Sequence, residues 1–197
     1  MSKIEDREIV KQLQEGSLEA LGVLYNRHRN LVYRTALAIT GDVDTASDLL
    51  QDVFLRLYRF ADRIDRSRPL EPWLYRMTTN LAYTWVKRNK RWLHSLDDLA
   101  EWLVGTSKNT LLETVEHNDD WDQVQNAVTK LPFPQRVVVV LYYLNDLPLQ
   151  EIADILEVPV GTVKSRLYYG RLALKKSLGI GLFGASDTHP KLNYKGT

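Results

Sequence analysis

No cysteine occurs in the 197-residue chain. Disulfides and thiolate metal centres are therefore excluded, and a reducing cytoplasm is the expected compartment. Long apolar runs are missing too. The longest, Val137 to Leu144, spans eight residues, against the roughly 20 that a bilayer-crossing helix needs. No membrane insertion is expected. The opening MSKIEDREIV lacks the basic-then-apolar layout of a secretory signal. Catalytic spacing is absent as well. The four histidines (His28, His94, His117, His189) are scattered, with no HExxH pair. There is no Walker-type phosphate loop and no GxSxG nucleophile elbow. The acid pairs Asp97-Asp98 and Asp119-Asp120 fall in a polar stretch where nothing desolvates them. The expectation is a protein that is not an enzyme, with no catalytic residues, no metal site and no cofactor.

Net charge is nearly absent, at +1, but the sum hides segregation. From Trp85 to Trp92 the run WVKRNKRW carries four positive charges. From Ser95 to Asp122 there are eight acidic residues against one lysine. From Gly161 to Lys176 there are five basic residues (Lys164, Arg166, Arg171, Lys175, Lys176) and no acid. Screening confines each field to about 10 Å, so local charge decides what each segment touches.

The pattern is helical almost throughout. One helix is expected from Asp6 to Glu15, closed by Gly16. A second is capped by Ser17 and ended by Gly41, with apolar residues at Leu18, Leu21, Leu24, Tyr25, Leu31, Val32, Ala36 and Ile39. A third opens at Asp42 or Asp44 and runs to about Phe60. It carries Ala46, Leu49, Leu50, Val53, Phe54, Leu57 and Tyr58 on its apolar side. A fourth starts at Pro69 or Pro72 and reaches about Arg91, since proline is tolerated in a first turn. Leu93 to Asp119 has weak periodicity and reads as a linker. Helix resumes at Trp121, stops at Leu131-Pro132 and restarts at Pro134. The four valines from Val137 suit a strand on propensity, but no second strand candidate exists to pair with them, so a buried helix is expected.

Leu147 to Lys176 then reads as a short amphipathic helix, a tight turn at Glu157-Val158-Pro159-Val160-Gly161, and a second helix with a basic face. This is a helix-turn-helix, whose second helix lies in the DNA major groove. Pro159 forbids continuation of the first helix. Ile152, Ala153, Ile155 and Leu156 are expected inside, packed by Val163 and Leu167. Thr162, Lys164, Ser165, Arg166 and Tyr169 remain for solvent or groove, with Arg171 further along. The fold class is thus all-α: two small helical domains, 1–93 and 121–179, joined by a flexible acidic linker, 94–120, with a loose tail, 180–197.

Two further features carry chemistry. The segment from Pro72 to Trp92 interleaves Trp73, Tyr75, Tyr83, Trp85 and Trp92 with Arg76, Lys87, Arg88, Lys90 and Arg91. Aromatic faces with cations are what single-stranded nucleic acid binds, because every base offers a face to stack. Core packing competes for the same residues, and Trp73 and Leu74 are expected to be mainly packing. In Asp48, Gln51, Asp52 and Leu55 the spacing makes one polar stripe, either a plain solvated face or a dock for a basic partner.

These residues resemble a known family. Asp42 to Phe54 matches D-x-x-x-A-x-D-L-x-Q-D-x-F, Trp73 to Asn80 matches W-L followed by N, Leu131 to Arg136 matches L-P-x-x-x-R, and Glu151 to Arg166 matches E-I-A-x-x-L-x-V-P-x-G-T-V-K-S-R. Together they are similar to regions 2 and 4 of the bacterial extracytoplasmic-function (ECF) sigma factors. The resemblance implies that the chain binds core RNA polymerase and directs it to promoters. It implies that Asp48, Gln51, Asp52, Phe54 and Leu55 dock on the polymerase. It implies that Asn80, Lys87, Arg88, Lys90 and Arg91 take the unpaired −10 strand. It also implies that Thr162, Lys164, Ser165, Arg166, Tyr169 and Arg171 read the −35 duplex, and that an anti-sigma protein is a possible further partner. Four positions depart from the family pattern. Ser47 stands where an acid is expected beside Asp48, and Thr84 where aspartate is common. Pro148 takes the usual capping serine position, shifting the expected cap to Asn145 or Asp146. Glu157 replaces the turn glycine, at a cost of about 1 kcal/mol if that site needs a positive φ. The alternative is a stand-alone helix-turn-helix regulator with an N-terminal sensory or dimerisation domain.

Overall fold

The computed structural model describes the backbone of residues 3–100 and 119–179, with side chains from 6 to 88 and from 122 to 179. Eight α-helices account for most of it: α1 Lys3–Gln14, α2 Leu18–Thr40, α3 Val43–Arg59, α4 Glu71–Ala100, α5 Asp119–Thr129, α6 Phe133–Tyr143, α7 Leu149–Leu156 and α8 Val160–Ser177. A single 3₁₀ turn, Ala61–Arg63, links α3 towards α4. No strand occurs among the described residues, and the valine run lies inside α6, with Val137, Val138, Val139 and Val140 all buried.

Local chemistry sets the boundaries. Ser17 precedes α2 and its hydroxyl accepts from the Ala20 N–H at 3.2 Å. Asp42 caps α3 by accepting from the Thr45 N–H at 2.7 Å. Each side chain satisfies one of the orphan donors of a first turn. Between them Gly41 ends α2 at φ 72°, a left-handed conformation. A Cβ there would also meet the Thr129 methyl at 2.5 Å, so glycine is needed twice over. The later helices start differently. Pro132, Pro148 and Pro159 occupy the N-cap positions of α6, α7 and α8, none with a side-chain cap bond.

Two sequence expectations are corrected here. The fourth helix continues to Ala100, beyond the expected end near Arg91 and into the stretch read as linker. Nothing in Lys90 to Ala100 is a proline or glycine, so no residue there breaks the helix. Asn145 and Asp146 do not cap α7; its N-cap is Pro148. Asp146 instead takes a left-handed turn at φ 52°, and Asn145 reaches into the N-terminal half.

The core begins in α1–α4, where Leu24, Val32, Ile39, Val53, Leu57 and Leu74 are fully enclosed, and continues through Val138, Leu141, Ile152 and Val163 of the C-terminal half. Gly170 explains the tight crossing of α8 on α6: a Cβ there would sit 2.8 Å from Val139 Cγ2. Glycine inside a helix costs about 1 kcal/mol against alanine, and close approach is what it gains in return. The two halves touch directly, through α2 with α5 and α6, and through α4 with α7.

Candidate polymerase and nucleic-acid interfaces

Asp48, Gln51, Asp52 and Leu55 are all exposed on one face of α3. Leu55 is 51% exposed, a large apolar side chain left in water. Tyr58, one turn further and expected among the apolar residues of the inner side, is also exposed, at 42%. It extends the Leu55 patch, since residues three apart share a helix face. Beside them lies a shallow hollow of about 320 Å³ lined by Asp52, Leu55, Arg56, Arg59 and Phe60. Phe54 is the correction in this group. It is buried, with its ring edge-on to Tyr25 at 4.9 Å. At about 100° per residue it lies some 120° round the helix from Asp48, so it faces the core and supports the stripe from behind.

On α4, Asn80, Tyr83, Thr84, Lys87 and Arg88 are all exposed. Their i, i+3, i+4, i+7, i+8 spacing makes one continuous face. It carries an aromatic ring, an amide, a hydroxyl and two cations. Leu74, Leu81, Ala82 and Val86 hold the opposite side in the core. Trp73 is half-buried against that core, as packing requires. The side chains of Lys90, Arg91 and Trp92 lie outside the described residues.

The helix-turn-helix is built from α7 and α8. Ile152, Ala153 and Ile155 are buried on α7, and Val163, Leu167 and Gly170 on α8. Glu157 closes α7 at φ 53° and donates its N–H to the Ala153 carbonyl. The turn therefore does use the left-handed conformation that glycine would adopt without strain. Lys164, Ser165, Tyr169 and Arg171 are exposed; Thr162 and Arg166 are half-buried. Thr162, Ser165, Arg166 and Tyr169 share one face near the N-terminus of α8. The helix dipole and free N–H groups favour phosphate there. Tyr168, Tyr169 and Leu172 leave 64%, 57% and 51% of their surface in solvent.

Polar groups join the halves, and sequence periodicity did not reveal them. Arg136 is buried on α6. Its Nη1 donates to the Ile39 carbonyl at 2.7 Å, and its Nη2 donates to the Thr129 and Leu131 carbonyls. Burial pushes its pKa below the usual guanidinium range. Gln125 Nε2 donates to the Leu37 and Ala38 carbonyls at 3.1 and 3.3 Å. Both side chains thus serve carbonyls in the last turn of α2: those of Ala38 and Ile39, which the helix end leaves without a backbone partner, and that of Leu37, which also accepts from the Gly41 N–H. Asn145 Nδ2 donates to Thr35 Oγ1 at 3.1 Å and to Tyr75 Oη at 3.2 Å. Burial raises the Tyr75 pKa, and the Asn145 bond partly opposes it. Arg76 forms an ion pair with Glu157. The ring of Tyr83 lies 5.3 Å from that of Phe133.

One histidine also finds a place. His28, 5% exposed, bonds through Nε2 to Asp6 Oδ2 at 2.9 Å, while Asp6 also pairs with Arg27. Ligand atoms of Asp6, His28 and Glu71 lie within 4.8 Å of one another. The Arg27 guanidinium already neutralises the Asp6 carboxylate, taking the place of a cation, and the Asp6 bonds to Arg27 and His28 clamp α1 on α2.

An all-helical protein with a basic, aromatic-bearing helix in one half and a helix-turn-helix in the other is a nucleic-acid-binding protein by construction. Family comparison gives the class its name. Residues 24–92 match Sigma-70 region 2, and residues 121–174 match Sigma-70 region 4. The ECF RNA polymerase sigma factor SigW of Bacillus subtilis is 32% identical over 86% of this chain and 94% of its own length. SigM of the same organism is 30% identical over 77% of this chain and 91% of its own. Among solved structures, CnrH in complex with the cytosolic domain of CnrY superposes with a TM-score of 0.65 at 23% identity, covering 89% of this chain and 97% of that one. The sigma factor RpoE in complex with the anti-sigma factor NepR from Bartonella quintana gives 0.63 at 21%, over 77% and 92%. The chain belongs to the ECF sigma factors. It is a transcription initiation factor that directs RNA polymerase to particular promoters.

Proposed function

We propose that the α3 stripe, Asp48, Gln51, Asp52 and Leu55 with Tyr58 added, docks on core RNA polymerase. Two carboxylates beside an exposed leucine suit a partner helix that offers basic side chains around an apolar spot. The Asn80, Tyr83, Thr84, Lys87 and Arg88 face takes the unpaired −10 strand, and Lys90 and Arg91 continue it by sequence. Extruding a base costs a few kcal/mol, and stacking on an aromatic ring offsets about 1–3 of them. Thr162, Lys164, Ser165, Arg166, Tyr169 and Arg171 engage the −35 duplex, with Arg166 on a base edge and the others mostly on phosphates. The protein makes and breaks no bonds itself; binding energy melts the DNA and the polymerase does the chemistry. A small anti-sigma protein would act by covering these same exposed faces.

The observation that carries this reading is the segregation of three exposed faces onto three helices, each backed by a continuous buried face of the same helix. The test is the α3 stripe. Asp52→Arg should fold normally, because Asp52 is exposed, and should weaken co-purification with core polymerase at least tenfold. Retention at the wild-type level would remove α3 from the docking surface.

A further inference from the structure

We infer that α1 is a positioning element for the −10 site: Gln14 and Arg7 fix the shape of the loop from Ala61 to Leu70, which leads into α4 and carries Arg66 to the unpaired strand. The inference rests on the −10 reading of α4 above. It goes beyond that reading, since α1 lies outside the residues 24–92 that match region 2.

The loop is pinned at its ends and open between them. Ala61, Ile64 and Leu70 are buried, while residues 65 to 69 are all exposed. Helix α1 forms the other side of the contact. Val10 and Leu13 are buried, and Val10 lines a shallow hollow shared with Arg7, Ile64, Arg66 and Leu70. Half-buried Gln14 donates through Nε2 to the Ala61 carbonyl at 2.9 Å and to the Ile64 carbonyl at 3.0 Å. Arg7 Nη2 donates to the Ser67 carbonyl at 2.8 Å. Side chains of one helix thus serve three backbone carbonyls of one loop, which has no strand or helix ladder to order it.

The charges of the loop are sorted within this frame. Asp65 accepts from the Ser67 N–H at 2.9 Å and from its hydroxyl at 2.6 Å, and pairs with Arg68 at 3.4 Å. The Ser67 bonds hold the Asp65 carboxyl below the usual carboxylate range. Arg63 lies over the Phe60 ring at 5.1 Å. Arg66 is left exposed, with no ion pair among the described residues.

The position of the loop continues the −10 face. Met77 and Trp73 stand three and seven residues before Asn80, on the same side of α4, and both are half-buried. A strand laid on Asn80 and running towards the start of α4 passes Trp73 about 10 Å further along. The loop is what it meets next. An arginine already held in place there takes a phosphate with less ordering than one on a free loop.

The test is a double-mutant cycle in the complete holoenzyme. The balance of closed and open promoter is read from permanganate reactivity of −10 thymines, at a salt concentration where the wild type is half open. Gln14→Glu keeps the size of the side chain and removes the donor. It should lower the opening constant about fivefold, as should Arg66→Ala, and the two together should also give about fivefold, because Gln14 acts through the loop that holds Arg66. Arg66→Ala should also reduce the salt slope by about 1. Gln14→Lys returns a donor to the two carbonyls and should restore opening to within about twofold of the wild type. Co-purification with core polymerase and binding of the −35 duplex should stay at the wild-type level in every variant. A combined loss of about 25-fold in the double variant, or loss of −35 binding along with opening, would assign Gln14 to general stability and overturn the inference. Full opening in Gln14→Glu would overturn it too. Asn80→Ala with Lys87→Ala separates the two readings: undiminished opening there contradicts the −10 assignment of α4, while the cycle alone decides the role of α1.

Discussion

The two halves of the molecule begin their helices by different means. In the N-terminal half, Ser17 and Asp42 place side-chain oxygens over the first turns of α2 and α3. In the C-terminal half, Pro132, Pro148 and Pro159 stand at the N-cap positions with no such bond. A side-chain cap stabilises the folded state directly. Proline acts mainly by restricting the unfolded chain and fixing the approach angle of the next helix. The contrast fits the work of each half. The N-terminal half has long helices and a deep core, and it presents faces. The C-terminal half packs shorter helices through sharp turns, so that α8 is held at a set angle to α7. Its helices also lend side chains to the other half, since Arg136 and Gln125 serve the end of α2.

Core truncation should break the comparison most strongly. Leu141→Ala removes a fully enclosed side chain of α6 and should cost about 3 kcal/mol in a denaturant titration. If the halves fold as one unit, the whole transition shifts; if they are independent, only part of the signal moves. Next in size is the DNA face. Arg166→Ala should lower affinity for the cognate −35 duplex by about 2 kcal/mol if the guanidinium meets a base, with loss of discrimination at that position. Uniform weakening across sequences would assign it to phosphate instead. Removing the cap in Asp42→Ala should cost about 1 kcal/mol, read as a lower melting temperature. The smallest effect has the opposite sign. Glu157→Gly relieves a left-handed backbone worth about 1 kcal/mol, and loses an exposed ion pair worth between about 0 and 1. The net should be a gain of about 0.5 kcal/mol. A loss would show that the Arg76 pair outweighs the strain.

Much of this was legible in the residues. The helix-turn-helix could be read because proline, glycine and apolar spacing each constrain the same few positions from Leu149 to Leu167. The family pattern has glycine where Glu157 stands, which raised the question of a positive φ, and the site does have one. The lack of a second strand candidate also decided the fate of the valine run correctly, since a lone strand has nothing to pair with. Other features were beyond that kind of reading. Phe54 belongs to the same family string as Asp52, and a string records neighbours in sequence without recording faces. Tyr58 reads as a core residue on hydropathy alone, and the end of α3 leaves it outside. The cap was expected at Asn145 or Asp146 because Pro148 takes the family's capping serine position, but Pro148 itself sets the start of α7 and the Asn145 amide crosses to Thr35 and Tyr75. Hydrophobic spacing shows that a helix has a buried side. It does not say which helix covers that side, so the contact between the halves became visible only in three dimensions.

The central claim is that this chain confers promoter choice on an enzyme that lacks it. The most direct measurement is transcription in vitro from fragmented genomic DNA, with core RNA polymerase alone and with the purified chain added, and with RNA 5′ ends then mapped. A shared pair of sequence boxes upstream of new, discrete start sites, weakened by Arg166→Ala at the distal box, is the predicted result. Start sites no more selective than those of the core enzyme alone would contradict it.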